Sequence, residues 1–260
     1  MSQGILVGCD LHQQWLLPWW WKHYSVHNSY PVAFIDFGMS KEAINWCKER
    51  GACLTLPSLS HSLSLKDEIP SSVQASWEER YGKGFWIRRE AWFKKPFSLL
   101  LCPFSTGLWI DIDCRVDGSL EGIFYCMNFD IEIGVVKDRD QDSDFLMPGE
   151  TQYNSGVIAF QKEAPILKQW VDTSLKTEHL LPGDQETLSR AIHTFKPKLM
   201  ELPSTYNWYK MYGNNKKAII HHFCGGPGKI EILKSFSPET PIESLLLLQA
   251  LKSVENTPRT

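Results

Sequence analysis

Two carboxylates carry the most chemistry in the chain. Asp111-Ile112-Asp113 follows the apolar run Leu108-Trp109-Ile110. In a strand, residues i and i+2 face one side. The spacing therefore predicts two carboxylates converging at a strand's carboxyl end, where open α/β sheets bind ligands. Two hard oxygen donors side by side suit Mg²⁺ or Mn²⁺. A metal held by so few side chains keeps positions open for diphosphate oxygens.

Other polar groups gather later in the chain. Tyr153-Asn154-Ser155-Gly156 precedes an apolar run, with short hydrogen-bonding side chains and a glycine that lets a ligand approach the backbone. Asp184 is a natural N-cap for a following helix, and Gln185 beside it is not explained by capping. His221-His222-Phe223-Cys224 leads into Gly225-Gly226-Pro227-Gly228-Lys229. A histidine at a strand end can ligate a metal, a glycine-rich turn exposes N–H groups to an anion, and a lysine adds a point charge. Two competing uses of carboxylates fit less well. A phosphatase of the haloacid dehalogenase kind wants Thr two positions after the second Asp, where Arg115 stands. Asp138, Asp140, Asp142 and Asp144 have the early spacing of a calcium loop. Ser143 replaces its glycine and Gly149 its final glutamate, so they read as a solvated acidic loop.

The elements that must position these groups follow from patterning. Residues 4–9, 31–36 and 52–56 read as strands, separated by helices over 13–24 and 41–50 with Ser40 as N-cap. This alternation predicts a parallel sheet covered by helices. Residues 57–84, rich in Ser, read as a loop-rich excursion. Beyond it the patterning gives helices over 90–101, 163–175, 184–195 and 241–254. Strands are expected over 129–136, 156–160 and 218–222, and the last six residues are expected to fray.

Composition bounds the rest. The 260 residues carry 27 Lys+Arg and 30 Asp+Glu, a net charge of −3, and 43 % hydrophobic residues. That profile is globular and lacks the basic excess of a nucleic-acid binder. No apolar run reaches the roughly 18–20 residues of a membrane span, and the first residues do not read as a signal peptide. The seven cysteines form no CxxC pair, which suits a reducing, cytoplasmic setting. Of 11 tryptophans, four (Trp15, Trp19, Trp20, Trp21) crowd one segment. Following the first strand end, they are the preferred surface for an acceptor or partner, and burial would return them to packing.

Taken in chain order, the strand, the DxD, the NSG, the DQ and the H-F-x-G with its following Lys form an ordered set. The set resembles the retaining nucleotide-sugar glycosyltransferases of the GT-A fold, and most closely glycosyltransferase family 8, which includes glycogenin and bacterial lipopolysaccharide galactosyltransferases. The resemblance spans roughly residues 4–230. It implies an α/β, Rossmann-like fold with a mixed, mostly parallel central sheet. Residues 1–230 would form the GT-A domain and 231–260 a C-terminal extension.

The resemblance also implies roles. Asp111 and Asp113, with Ile112 between them, match the metal- and diphosphate-binding DxD. His222 matches a third ligand to Mn²⁺ (or Mg²⁺), and Lys229, with Gly225, the diphosphate contacts. Asn154, Ser155 and Gly156 match the segment near the donor sugar, and Asp184 and Gln185 the pair on its reacting face. Lys94, with Lys95 competing, falls where the family places a basic residue against the nucleotide. Gly8, Cys9 and Asp10 fall where it cradles the base. The implied activity is metal-dependent hexosyl transfer from a nucleoside-diphosphate sugar, UDP-linked, to an unknown glycan, lipid or protein acceptor. The alternative is a catalytically inactive relative that binds sugar or nucleotide. Two departures stand out: the His-to-Lys spacing is one residue longer than the family's, and Ile230 replaces the aromatic after the Lys.

Overall fold

The computed structural model describes residues 2–57, 63–82, 84–128, 130–141 and 143–255. Its centre is a seven-stranded sheet in the order β3-β2-β1-β4-β7-β6-β8. The strands are β1 (Gln3–Cys9), β2 (Val32–Asp36), β3 (Ala52–Thr55), β4 (Thr106–Ile110), β6 (Ile133–Lys137), β7 (Tyr153–Gln161) and β8 (Leu199–Leu202). β1, β2, β3 and β4 pair in parallel, as do β6 and β8, while β7 runs antiparallel to both β4 and β6. The sheet is therefore mixed and mostly parallel, as the sequence implied.

Side-chain alternation sends each strand to two cores. Ile5, Val7, Val32, Phe34, Leu108, Ile110, Val157 and Ala159 join one cluster. Leu6, Ala33, Ile35, Trp109, Ile158 and Phe160 join the other. The first core is covered by α1 (Leu16–His27), α2 (Lys41–Lys48) and α9 (Pro241–Glu255), which contributes Leu246 and Ala250. The second is covered by α4 (Phe85–Leu100), α6 (Pro165–Thr177) and α7 (Asp184–Phe195). Burying each large apolar side chain contributes about 1.5–3 kcal/mol.

The tryptophan segment belongs to packing. Trp15, Trp19 and Trp20 are 8 %, 5 % and 0 % exposed, Trp20 stacks on Tyr24 with centroids 4.9 Å apart, and Trp21 packs on the same core. The exposed residues of α1 are Lys22, Ser25, Val26 and His27, so its tryptophans face the first core rather than the cavity rim.

Local differences from the sequence reading are instructive. The 57–84 excursion holds a helix, α3 (Ser71–Tyr81), whose Trp77 packs with Ile69 and Phe85 in a small core of its own. Residues 58–62 and 83 of that excursion lie outside the described residues, as do Phe129, Asp142 and the 256–260 portion of the expected fraying end. Tyr153-Asn154-Ser155-Gly156 lies inside β7 rather than before it. Gly225 to Gly228 form the first turn of a helix, α8 (Gly225–Ser235), rather than a free turn. Among the described residues no helix is long and apolar enough to cross a membrane.

Candidate active site

The strand order reverses between β1 and β4, and ligands of open α/β sheets bind at such switch points. A cavity of about 770 Å³ opens there, lined by residues from the carboxyl ends of β1 and β4, from β7, and from α4, α7 and α8. Gly8, Cys9 and Asp10 lie in its wall, as do Ile112, Ser155, Gly156 and Gly225.

Asp111 and Asp113 lie one step past β4, in the turn that joins it to β5 (Cys114–Val116). The turn is closed by Cys114 N–H donating to Asp111 O at 3.0 Å. A turn, not strand pleat, therefore brings the two carboxylates to one side. β5 heads a second sheet, β5-β10-β9, with β9 (Trp208–Tyr209) and β10 (Ile220–His222). Its register sets His222 opposite Cys114 and beside Tyr209, and Phe223 N–H donates to Asp113 O at 2.9 Å. The small sheet thus delivers the histidine to the DxD.

His222 Nε2 stands 3.3 Å from Asp113 Oδ1 and 3.9 Å from Asp111 Oδ2. Lys229 Nζ donates to Asp113 Oδ2 at 2.7 Å, so α8's first turn absorbs the additional residue and the lysine still reaches the site. Trp109 Nε1 donates to Asp111 Oδ1 at 2.7 Å, and Lys95 Nζ lies 3.0 Å from the same oxygen. Burial pushes the Asp111 carboxyl up despite Lys95. Burial opposes charge on Asp113 as well, but Lys229 and His222 outweigh it and hold that carboxyl well below the usual range.

The ring orientation of His222 follows from a chain of hydrogen bonds. Gly156 N–H donates to Asn154 Oδ1 at 2.8 Å, which identifies that atom as the acceptor. Asn207 Nδ2 donates to the same oxygen, leaving Asn207 Oδ1 to face His222 Nδ1 at 2.9 Å. An amide oxygen only accepts, so Nδ1 carries a hydrogen and Nε2 turns toward the carboxylates. This is the orientation a metal-ligating histidine needs. Asp113, Cys114 and His222 bring possible ligand atoms within 4.8 Å of one another. Of these donors a hard Mn²⁺ or Mg²⁺ prefers the carboxylate and the imidazole to the Cys114 thiol, and Asp111 Oδ2, 3.9 Å from His222 Nε2, offers a second carboxylate. Two carboxylates and an imidazole fit Mn²⁺ or Mg²⁺.

A second group adjoins the first through Lys95. Asp184 is the first residue of α7, with Gly183 at the N-cap position. Its carboxylate does not cap the helix but meets Lys95 Nζ at 2.7 Å. Lys95 also donates to Ser155 O and Oγ at 3.1 and 3.2 Å. Burial opposes its charge, yet Asp111 and Asp184 outweigh burial and hold the ammonium firmly protonated. Lys94 is not in the lining; it donates to Phe37 O at 3.0 Å and pairs with Glu90 at 2.8 Å. Of the two neighbouring lysines, Lys95 is the one the cavity receives.

Gln185 is oriented by a residue that sequence patterning assigned to a solvated loop. Asp138 is buried at the end of β6 and accepts from Gln185 Nε2 at 3.0 Å and from Tyr209 Oη at 3.0 Å. A carboxylate without a proton only accepts, so Gln185 Oε1 is turned the other way, where Asn154 Nδ2 donates to it at 2.7 Å. The signal for Asp138 was present as the first member of the acidic run. Asn207 and Tyr209 carried none, because they reach the site only through the pairing of β9 with β10.

No family model matches the sequence, and no curated protein matches it. Solved structures do. Over 99 % of this chain and 65 % of the other, it superposes on the glycosyltransferase GlyE of Streptococcus pneumoniae TIGR4, with a TM-score of 0.62 and 14 % identity. A galactosyltransferase, LgtC, solved with donor and acceptor sugar analogs, matches over 98 % of both chains with a TM-score of 0.55 and 14 % identity. Mouse xyloside xylosyltransferase 1 matches over 85 % of this chain and 97 % of its own, with a TM-score of 0.52 and 11 % identity. The chain thus spans somewhat less than two thirds of GlyE. Its fold is that of the GT-A glycosyltransferases.

Proposed function

We propose that the protein is a metal-dependent glycosyltransferase. It moves a hexose from a nucleoside-diphosphate sugar, UDP-linked, to a glycan, lipid or protein acceptor with retention of configuration. One observation carries this reading. Asp111, Asp113, His222 and Lys229 meet in one cavity with Asp184, Gln185 and Asn154, and Lys95, paired with both Asp111 and Asp184, joins the two groups. The seven cysteines are all free, which fits a reducing compartment such as the cytoplasm.

Asp111, Asp113 and His222 would hold Mn²⁺ or Mg²⁺, which supplies Lewis-acid stabilisation to a leaving diphosphate. Lys229 adds a fixed positive charge on the same side. The first turn of α8 adds N–H groups that have no partner within the helix and lie along the lining. Gly8, Cys9 and Asp10, at the end of β1, are placed to receive the nucleoside. Beside them, Lys95 fixes the Asp184 carboxylate, and Asp138 holds Gln185 so that its Oε1 meets Asn154. Asn154 orients the sugar hydroxyls. Retention leaves two routes, front-side attack by the acceptor hydroxyl or two displacements through a glycosyl ester. Of the Asp184–Gln185 pair, only Asp184 has the nucleophilicity for the second.

Asp113→Asn tests the reading. Metal-dependent hydrolysis or transfer from a panel of nucleotide sugars should fall at least about 100-fold, with the thermal unfolding transition kept. Undiminished metal-dependent activity in this variant would overturn the assignment. A wild-type chain that turns over none of the panel would favour an inactive sugar- or nucleotide-binding relative.

A further inference from the structure

The cavity continues past the groups assigned to donor chemistry. α4 presents Arg88, Trp92 and Lys95 to it, at i, i+4 and i+7. That spacing is one face of a helix. Seven residues of helix span about 10.5 Å, so Arg88 lies well beyond Lys95, the lysine paired with Asp184. A sugar whose anomeric carbon faces Asp184 and Gln185 does not extend that far. The outer part of the cleft therefore belongs to whatever receives the sugar.

Among the described residues, each basic side chain lining the cleft is paired with a carboxylate, Lys210 with Glu231 for example, except Arg88. Lys95 has Asp111 and Asp184, Lys229 has Asp113, and Arg80 has Asp140 at 2.8 Å. Arg88 forms no ion pair among the described residues. Its Nη2 donates to the Tyr81 carbonyl at 3.1 Å, and its Nε is buried without a hydrogen-bond partner. Glu186, a carboxylate of the same lining, accepts from Tyr81 Oη at 2.6 Å. Burial opposes its charge, and an aromatic neighbour, the Trp92 ring with its centroid 5.9 Å away, is a weak partner in place of an anion. A guanidinium cannot escape by losing its proton, and its planar fork matches carboxylates and phosphates. An unmatched arginine with a donor left over, in the wall of an open cleft, is a site for an anion.

We propose that Arg88 binds an anionic group, a carboxylate or a phosphate, carried by the acceptor, so that the enzyme selects acidic acceptors over neutral ones. This rests on the cleft being a glycosyl-transfer site.

Calorimetric titration of the full chain, saturated with UDP and Mn²⁺ so that the diphosphate site is filled, tests it. The probes are methyl β-D-glucuronide, glucose 6-phosphate and, as the neutral control, methyl β-D-glucoside. At least one acidic probe should bind tenfold or more tightly than the glucoside. Arg88→Gln should bring it to the neutral level while UDP affinity holds, and Arg88→Lys should keep part of the preference. Preference for the glucuronide alone identifies a carboxylate, and for the phosphate alone a phosphoryl group. Equal binding of acidic and neutral probes, or an acidic preference that survives Arg88→Gln, would overturn the proposal. If UDP with Mn²⁺ does not bind the wild-type chain, the donor reading fails separately. The same titration without UDP then decides the role of Arg88. A guanidinium serving only to tie α4 to the end of α3 would alter stability and leave the acidic-to-neutral ratio unchanged.

Discussion

A single nitrogen atom, His222 Nε2, depends on three other residues for its direction. Gly156 fixes Asn154, Asn154 fixes Asn207, and Asn207 fixes the imidazole. The candidate metal-binding histidine was legible in sequence because a His before a glycine-rich run is a local signal. Of its orienting partners, Asn154 and Gly156 were singled out only for the donor sugar and Asn207 was missed, since hydrogen-bond chains of this kind are made by strand pairing and leave no pattern in one segment. Glu186 is another residue that patterning passed over. It lies two places past Asp184, 4 % exposed, and burial pushes its carboxyl from an ordinary 4.5 up to about 6. The folded state therefore binds this proton more tightly than the unfolded chain. The resulting stabilisation is complete below pH 4.5 and is lost as pH rises through 6. The difference corresponds to about 2 kcal/mol. Glu186→Gln keeps an oxygen for Tyr81 and removes the charge. In urea unfolding it should be more stable than wild type by about 1–2 kcal/mol at pH 7.5 and indistinguishable at pH 4.5. Equal stability at both values would contradict this account of the carboxyl.

Elements succeed or fail as positioning devices through close approach. β7 passes so near β10 that a Cβ on Gly156 would stand 2.5 Å from His222 Cε1 and 2.9 Å from Asn154 Oδ1. Gly156→Ala must therefore push the imidazole out of line. It should weaken Mn²⁺ binding at least about tenfold, the scale seen when partners of a ligating histidine are lost. Gly4→Ala should leave the metal affinity as it was. Its Cβ would press on Phe104, and Gly4 is not among the residues lining the cavity. Unchanged Mn²⁺ affinity in Gly156→Ala would mean that His222 does not hold the metal. The sequence showed the glycine and its neighbours but put them before the strand, because Asn, Ser and Gly disfavour strands. Tertiary pairing with β4 and β6 overrides that preference. The helix α3 was missed for a related reason. Its Ser-rich start and weak amphipathy resemble a loop, and it is held by an aromatic cluster contributed largely by α4. The alternating strands and helices of the first 56 residues, with clear periodicity and a capping Ser40, were fully legible.

On the scale of the whole molecule, two sheets meet at one cleft. The parallel half, β3-β2-β1-β4, was readable from alternation. The antiparallel entry of β7 and the separate sheet β5-β10-β9 were not, since nothing local records which strands pair across long separations. Yet those two features assemble the site. β7 carries Asn154 to the DxD, and β10 carries His222 to it. Metal and nucleotide should consequently bind as one unit, each completing what the other needs, and ligand bound only to the folded chain raises the melting temperature. The most direct measurement is thermal unfolding with Mn²⁺ alone, UDP alone and both together. The two together should raise the melting temperature by more than the sum of the separate shifts, and Asp113→Asn should abolish that excess. A wild-type chain whose melting temperature does not move with any nucleoside diphosphate, in Mn²⁺ or Mg²⁺, would contradict a donor site at the head of this sheet.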